Sequence, residues 1–184
     1  MANHAYVKTK RWMSPEKITE LIEKLNKERF KGVIEIDYHE RTNEKPGWGP
    51  HTWLLTVKQD GQEYGTRVCW LNTKRSFEMR HGGGGDFMWW IDCSICNEVA
   101  LEFDGNWTDD GCDAKEKGKS DYHTTFPSFI QVMYPVLWEK GLLARLWVIQ
   151  MAEEMAPPLF KRKWRHRIQS ARKGDDLELM AVKQ

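Results

Sequence analysis

Cys93-x-x-Cys96 is the spacing in this chain closest to that of a metal-binding pair. Thiolates two residues apart commonly supply half of a tetrahedral zinc site, and Cys112 with His123 or Cys69 would complete four ligands. Three features argue against zinc. No second C-x-x-C or H-x-x-x-H pair is present, and Asn97 stands where a zinc-knuckle pair has Gly. On a strand running through Phe87 to Ile95, residues an odd number apart point to opposite faces. The expectation is no cofactor and buried or idle thiols, with zinc at Cys93, Cys96, Cys112 and His123 as the alternative.

Other fragments of chemistry are incomplete. His81-Gly82-Gly83-Gly84 is similar to a lipase-type oxyanion loop, but the chain has no G-x-S-x-G nucleophile elbow. A phosphate-cradling loop would end in Gly-Lys-Ser/Thr, whereas Gly85 is followed by Asp86. Asp104-x-Asn106-x-Thr108-x-Asp110 resembles the start of a calcium loop, yet Asp109 replaces the turn glycine and Lys115 the bidentate glutamate. His39-Glu40 lacks a second histidine four residues on. Asp109 and Asp110 are adjacent, with nothing to aim both at one cleft as acid–base catalysis needs. No catalytic residue is assigned.

Charge is balanced globally and uneven locally. The 28 basic and 27 acidic side chains give a net charge of +1. Lys161, Arg162, Lys163, Arg165, Arg167, Arg172 and Lys173 cluster without an acid, and Trp164 and His166 lie among them. Cations bind phosphate and an aromatic ring can stack on a base. Lys161, Arg162, Lys163, Trp164, Arg165 and Arg167 are therefore the candidate contacts for nucleic acid or an acidic protein surface, against a solvated terminal helix. Asp104, Asp109, Asp110, Asp113, Glu116 and Asp121 lie earlier, diluted by lysines. The ten tryptophans are the compositional oddity. Trp48, Trp53, Trp70, Trp89, Trp90 and Trp107 could line a ligand pocket, but tryptophan also fills cores and interfaces, and the core is the favoured place.

The elements that would position these residues follow from periodicity. Residues 1–13 read as an arm. Ser14-Pro15-Glu16 opens a helix, with Ser14 as N-cap, Pro15 at the first helical position and Ile18, Leu21, Ile22 and Leu25 on one buried stripe. Gly32 ends it. The period then becomes 2 at Ile34, Ile36 and Tyr38, and again at Trp53, Leu55 and Val57. Asp60-Gly61 marks a hairpin returning through Tyr64 to Leu71. Arg75 to His81 and Phe87 to Asp92 flank four glycines, as in a second hairpin, and Val99, Leu101 and Phe103 suggest a further strand. Residues 104–123 read as a long polar surface loop. From Phe126 to Phe160 the chain is mostly apolar, and Pro135 and Gly141 divide it into two packed helices ended by Pro157-Pro158.

The expected fold is one α+β domain over 14–160. It has an aromatic-rich antiparallel sheet of five or six strands, an N-terminal helix and two or three C-terminal helices, followed by a basic segment at 161–184. No apolar run reaches the roughly 18 residues that cross a bilayer, and Met1 to Met13 lacks the apolar stretch of a signal peptide. A cytoplasmic or virion location with reduced cysteines is expected.

His51-Thr-Trp53, Val68-Cys-Trp-Leu-Asn72 and the run from Phe77 to Asp92 resemble small tailed-phage proteins across the sheet region. The resemblance implies a virion or assembly role and carries over no site residue. The first expectation is thus a non-enzymatic structural or assembly protein acting through a protein partner or self-association. A nucleic-acid-binding protein using the basic segment is the second. A ligand-binding protein or enzyme with a pocket beside 104–123 is the third.

Overall fold

The computed structural model describes residues 4–40, 49–80, 85–109 and 126–160. Six strands, β1 (His4–Thr9), β2 (Ile34–Glu40), β3 (His51–Gln59), β4 (Gln62–Thr73), β5 (Ser76–Arg80) and β6 (Gly105–Asp109), form one sheet in the order β2-β3-β4-β5-β1-β6. Every neighbouring pair is antiparallel. The helices are α1 (Pro15–Glu28), α2 (Gly85–Glu102), α3 (Phe126–Met133), α4 (Pro135–Glu139) and α5 (Leu142–Glu153). The chain is therefore an α+β protein, as its sequence periods predict.

The first correction concerns the N-terminus. His4–Thr9, expected as part of an arm, is a strand inside the sheet, paired with β5 on one side and β6 on the other. Ala5 and Val7 are fully buried while Tyr6 is half-buried and Lys8 exposed, the alternation of a strand with one face in the core. This placement ties the following residues to the domain: Lys10 and Arg11 donate backbone hydrogen bonds to Asp104 and Phe103, and Met13 donates to Lys74.

Helix α1 starts where its cap predicts. The Ser14 side chain accepts from the Lys17 backbone N–H at 3.2 Å, and Pro15 follows it. Ile18, Ile22 and Leu25 are buried against the sheet layer. Asn26 then fixes the entry to β2, accepting from the Ile34 N–H at 3.0 Å and donating to its carbonyl at 2.7 Å. The β3–β4 hairpin turns at Asp60 and Gly61, with φ of 53° and 79°. Those left-handed values are the reason a two-residue hairpin loop favours Asp-Gly.

The second correction is larger. Phe87–Asp92, expected as a strand, and Val99–Phe103, expected as another, belong largely to the single 18-residue helix α2, which ends at Glu102. The second hairpin is β4–β5 instead, turning at Lys74 and Arg75. Helix α2 packs against β1, β6, α1, α3 and α5. It is buried on nearly every side, from Phe87 and Met88 through Val99 and Ala100. A helix apolar all round has no 3.6-residue stripe, so periodicity could not separate it from a buried strand. Its length decides, because 18 residues exceeds an ordinary strand.

The sheet's inward face carries Trp53, Leu55, Val57, Cys69, Leu71, Phe77 and Met79, all buried. Trp53 also donates its indole N–H to Thr19 Oγ1 at 2.9 Å, joining β3 to α1. Over α2, the rings of Phe30, Phe87, Trp90, Phe126 and Phe160 meet at centroid distances from 4.6 to 5.8 Å. Such edge-to-face and tilted pairs add to the burial of their area. The C-terminal apolar region forms three helices, since Pro135 opens α4 and Gly141, at φ 102°, precedes α5. None of the described helices is long and apolar enough to cross a membrane.

Candidate functional site

The residues between β1 and α1 run past the β4–β5 turn and the start of β3. There they enclose an open cleft of about 440 Å³, lined by Trp12, Met13, Pro15, Pro50, His51 and Leu71 among others. Its shape depends on the approach of Gly49: a Cβ there would collide with the Leu71 carbonyl and press on the Trp70 ring. Thr52, fully buried, donates its hydroxyl to the Gly49 carbonyl at 3.2 Å and holds that approach.

Trp12 stands at the mouth with 67% of its surface exposed. Of the tryptophans whose side chains are described, Trp53, Trp70, Trp90, Trp107 and Trp138 are buried and Trp89 is half-buried. The core therefore accounts for most of them, and Trp12 is the exception. The Lys74 ammonium lies 5.0 Å from the Trp12 ring centroid, within cation–π range.

The polar rim is a hydrogen-bonded pair from adjacent strands. The Tyr38 hydroxyl and His51 Nδ1 are 2.8 Å apart, and their rings stack with centroids 6.2 Å apart. Burial pushes the Tyr38 phenol above its ordinary pKa, with smaller contributions from Glu40 and Glu16. Glu16, in the first turn of α1, lies below its ordinary value. Hydrogen bonds from its own backbone and from Ser14 are the main causes, with a weak pull from His51. The cleft thus combines an apolar floor, one exposed indole and a hydrogen-bonding rim.

Lys74 is the cation among the residues that line the cleft. Lys8, Lys10 and Arg11 arrive with the end of β1, and Lys74 and Arg75 with the β4–β5 turn; all five are exposed. Thr9 donates to the Arg75 carbonyl at 3.1 Å and Met13 to the Lys74 carbonyl at 2.8 Å, which fixes the two segments side by side. Lys10 is paired with Asp104 at 3.2 Å, both exposed. Lys8, Lys74 and Arg75 face no described carboxylate at ion-pair distance.

No family model, no curated protein and no solved structure matches this chain.

The residues singled out by spacing fall elsewhere. Cys93 and Cys96 lie one turn apart on α2, not on a strand, so the opposite-face objection to a shared ligand set does not hold. Both thiols are buried, at 4% and 0% exposure. Among the described residues no group of three His, Cys, Asp or Glu side chains is placed to hold a metal ion. Cys112 and His123, proposed with them, lie outside the described residues, as do Lys161, Arg162, Lys163, Trp164, Arg165 and Arg167. Trp89 and Trp90, expected on opposite sheet faces, are neighbours on α2. Trp90 is in the aromatic core and Trp89 packs its ring against Phe129. His39 sits on β2 beside Asp37, at 2.9 Å.

Two buried polar groupings are structural in their geometry. The Arg67 Nε–H reaches both Asp92 carboxylate oxygens, at 2.9 and 2.7 Å, joining β4 to α2 with 4% and 0% side-chain exposure. At the start of α2, the Tyr134 hydroxyl donates to Asp86 at 2.9 Å. Burial raises the Asp86 carboxyl above its ordinary pKa, opposed by that hydrogen bond. Burial and Asp86 together push Tyr134 up to about 12.

The cleft itself was not legible from motif spacing. Its lining joins Trp12 to Pro15 with Thr73 and Lys74, some sixty positions later in the chain. The available signal was local: Ala5 and Val7 alternating with Tyr6 and Lys8 is a strand pattern, and a strand there commits Trp12 to the domain surface.

Proposed function

We propose that this chain is a non-enzymatic assembly protein that acts by docking a protein partner at the Trp12 cleft, as the resemblance to tailed-phage proteins implies. The observation that carries the reading is Trp12 itself. Its indole is exposed at the mouth of an apolar cleft, while the other tryptophans whose side chains are described are buried or half-buried. Interface energy concentrates in Trp, Tyr and Arg anchors that become buried on binding. Trp12 supplies such an anchor at the opening, and Tyr38 stands behind His51, to which it is hydrogen-bonded. A virion location follows if the partner is a particle component.

The test is site-specific photo-crosslinking in producing cells, with a benzoylphenylalanine at position 12 and, as control, at the exposed Lys24 of α1. Discrete protein adducts at position 12 and not at position 24 are expected. Equal or absent adducts at the two positions would show that the cleft is not a docking site.

A further inference from the structure

Strand β2 lies at an end of the sheet order and has β3 on one side only. In an antiparallel pair, successive residues alternate between bonding the neighbouring strand and turning both peptide groups away from it. The Lys58 N–H donates to the Val33 carbonyl at 2.8 Å, in register with the β2–β3 ladder, so the odd-numbered residues of β2 bond β3. Ile34 turns the other way, and there Asn26 covers both groups, accepting from the N–H and donating to the carbonyl. Ile36, Tyr38 and Glu40 turn the same way as Ile34. Among the described residues, none hydrogen-bonds their peptide groups. β2 also contains no Pro or Lys, and its pairing with β3 runs without a bulge. Those are devices that keep an edge strand from pairing with another chain. Asp37, Tyr38, His39 and Glu40 are exposed, and Ile36 is half-buried.

We propose that β2 pairs with β2 of a second copy, antiparallel about a two-fold axis at Tyr38, so that one sheet runs through both chains. The charges on β2 select this partner and this register. Only registers that oppose even-numbered residues join open peptide groups. Of these, an axis at Ile36 sets Glu35 against Asp37, and an axis at Asp37 sets that carboxylate against itself. An axis at Tyr38 sets Asp37 against His39 of the second copy, and an axis further on shortens the paired segment. Like charges directly opposite destabilise a ladder, whereas opposite charges support it. Asp37 and His39 already lie 2.9 Å apart within each strand, so the pairing places two such pairs side by side with unlike groups opposed. Glu35 is paired with Lys58. At the axis Tyr38 meets its own copy. Its ring is 38% exposed and packs on Trp53 and His51 at centroid distances of 5.3 and 6.2 Å, and a second tyrosine extends that row across the interface. The contact uses the same strand of both chains, so it closes at two copies. It is made by the β2 edge and not by the Trp12 cleft, and does not depend on what docks there.

The experiment is sedimentation velocity on the full chain over a range of concentrations, with two variants. Glu40→Pro removes an N–H from the open edge alone and leaves the β2–β3 ladder its bonds. It should melt close to the wild type and dimerise about tenfold or more weakly, since the two-fold axis makes the loss occur twice. Trp12→Ala should dimerise as the wild type does. Cysteine substitution reads the register. Directly opposed Cα atoms of a bonded antiparallel pair lie about 5.5 Å apart, within disulfide reach, and residues displaced from the axis lie farther. Under a mild oxidant Tyr38→Cys should give a disulfide-linked dimer, and Asp37→Cys and the wild type treated alike should not.

A wild type that stays monomeric at every concentration overturns the proposal and leaves the edge to a strand of a different protein or to solvent. So does a folded Glu40→Pro that dimerises like the wild type. Equal crosslinking at positions 37 and 38 would overturn it as well, because no fixed register at Tyr38 would then exist. Loss of the dimer in Trp12→Ala would place the contact at the cleft instead, against the proposal. Should Glu40→Pro melt early, the two cysteine variants decide the matter by themselves.

Discussion

Asp92→Asn should be among the most destabilising single substitutions in this protein. The carboxylate has no exposure and receives the Arg67 Nε–H at 2.7 and 2.9 Å, and the Arg67 side chain is 4% exposed. The amide keeps the shape but removes the negative charge, leaving a guanidinium in the core without its counter-ion. Breaking a buried pair from one side costs about 3–5 kcal/mol, because the remaining charge keeps its desolvation penalty. For a chain of 184 residues each kcal/mol moves the melting temperature by about 2–4 °C, so a fall of about 6–20 °C is expected. Urea unfolding followed by tryptophan fluorescence, with scanning calorimetry, measures both quantities. Arg67→Met, alone and combined with Asp92→Asn, completes the cycle. Removing both charges should lose less than the sum of the two single changes, with a coupling of about 1 kcal/mol or more. If Asp92→Asn costs under about 1 kcal/mol, the pair is solvated in solution and the packing of α2 on β4 described above is wrong.

Gly49→Ala should destabilise by about 1–3 kcal/mol and reshape the Trp12 cleft, since its Cβ meets the Leu71 carbonyl; calorimetry and crosslinking yield at position 12 read both effects. Asp86 has a folded pKa raised above its ordinary 3.8, chiefly by burial, so its contribution to stability is fully present below pH 3.8 and lost as pH rises through the folded value. Asp86→Asn should therefore be as stable as wild type or more so at neutral pH, with a flatter pH–stability profile, as urea midpoints across the acid range will show. Tyr134→Phe removes the hydrogen bond that opposes the burial effect, so the Asp86 carboxyl should titrate still higher, measurable by NMR of its side-chain carbonyl. Cys69 is fully buried, and burial with nearby Asp92 raises its pKa well above the ordinary value. It should resist thiol reagents in the native protein at mildly alkaline pH and react at once in denaturant.

Where a signal in the sequence was local and chemical, it located structure well. Ser14 and Pro15 begin α1 because a side-chain acceptor and a fixed φ act on their own neighbours. Asp60-Gly61 turns the β3–β4 hairpin because two left-handed φ values are required at those two residues. The reading failed at α2, where burial on all sides erased the period, and the four glycines before Phe87 suggested a hairpin tip instead of a helix start. Two corrections to the chemistry follow from that one misassignment. Cys93 and Cys96 changed from opposite strand faces to successive turns of a core helix, and Trp90 moved into the aromatic core.

The cleft was illegible for a different reason, which is topological. Lys8, Lys10, Arg11 and Trp12 carry little meaning as an isolated basic stretch, because a charge run is ordinarily a solvated face. Trp12 joins a cleft only when β1 inserts between β5 and β6, which brings Thr9 and Met13 to the carbonyls of Arg75 and Lys74. That insertion is a long-range pairing, joining residues about seventy positions apart. The driving force is the burial of Ala5, Val7, Phe77, Met79 and Trp107 on one face. The same apolar contacts that complete the sheet therefore bring Trp12 and Lys74 to one cleft.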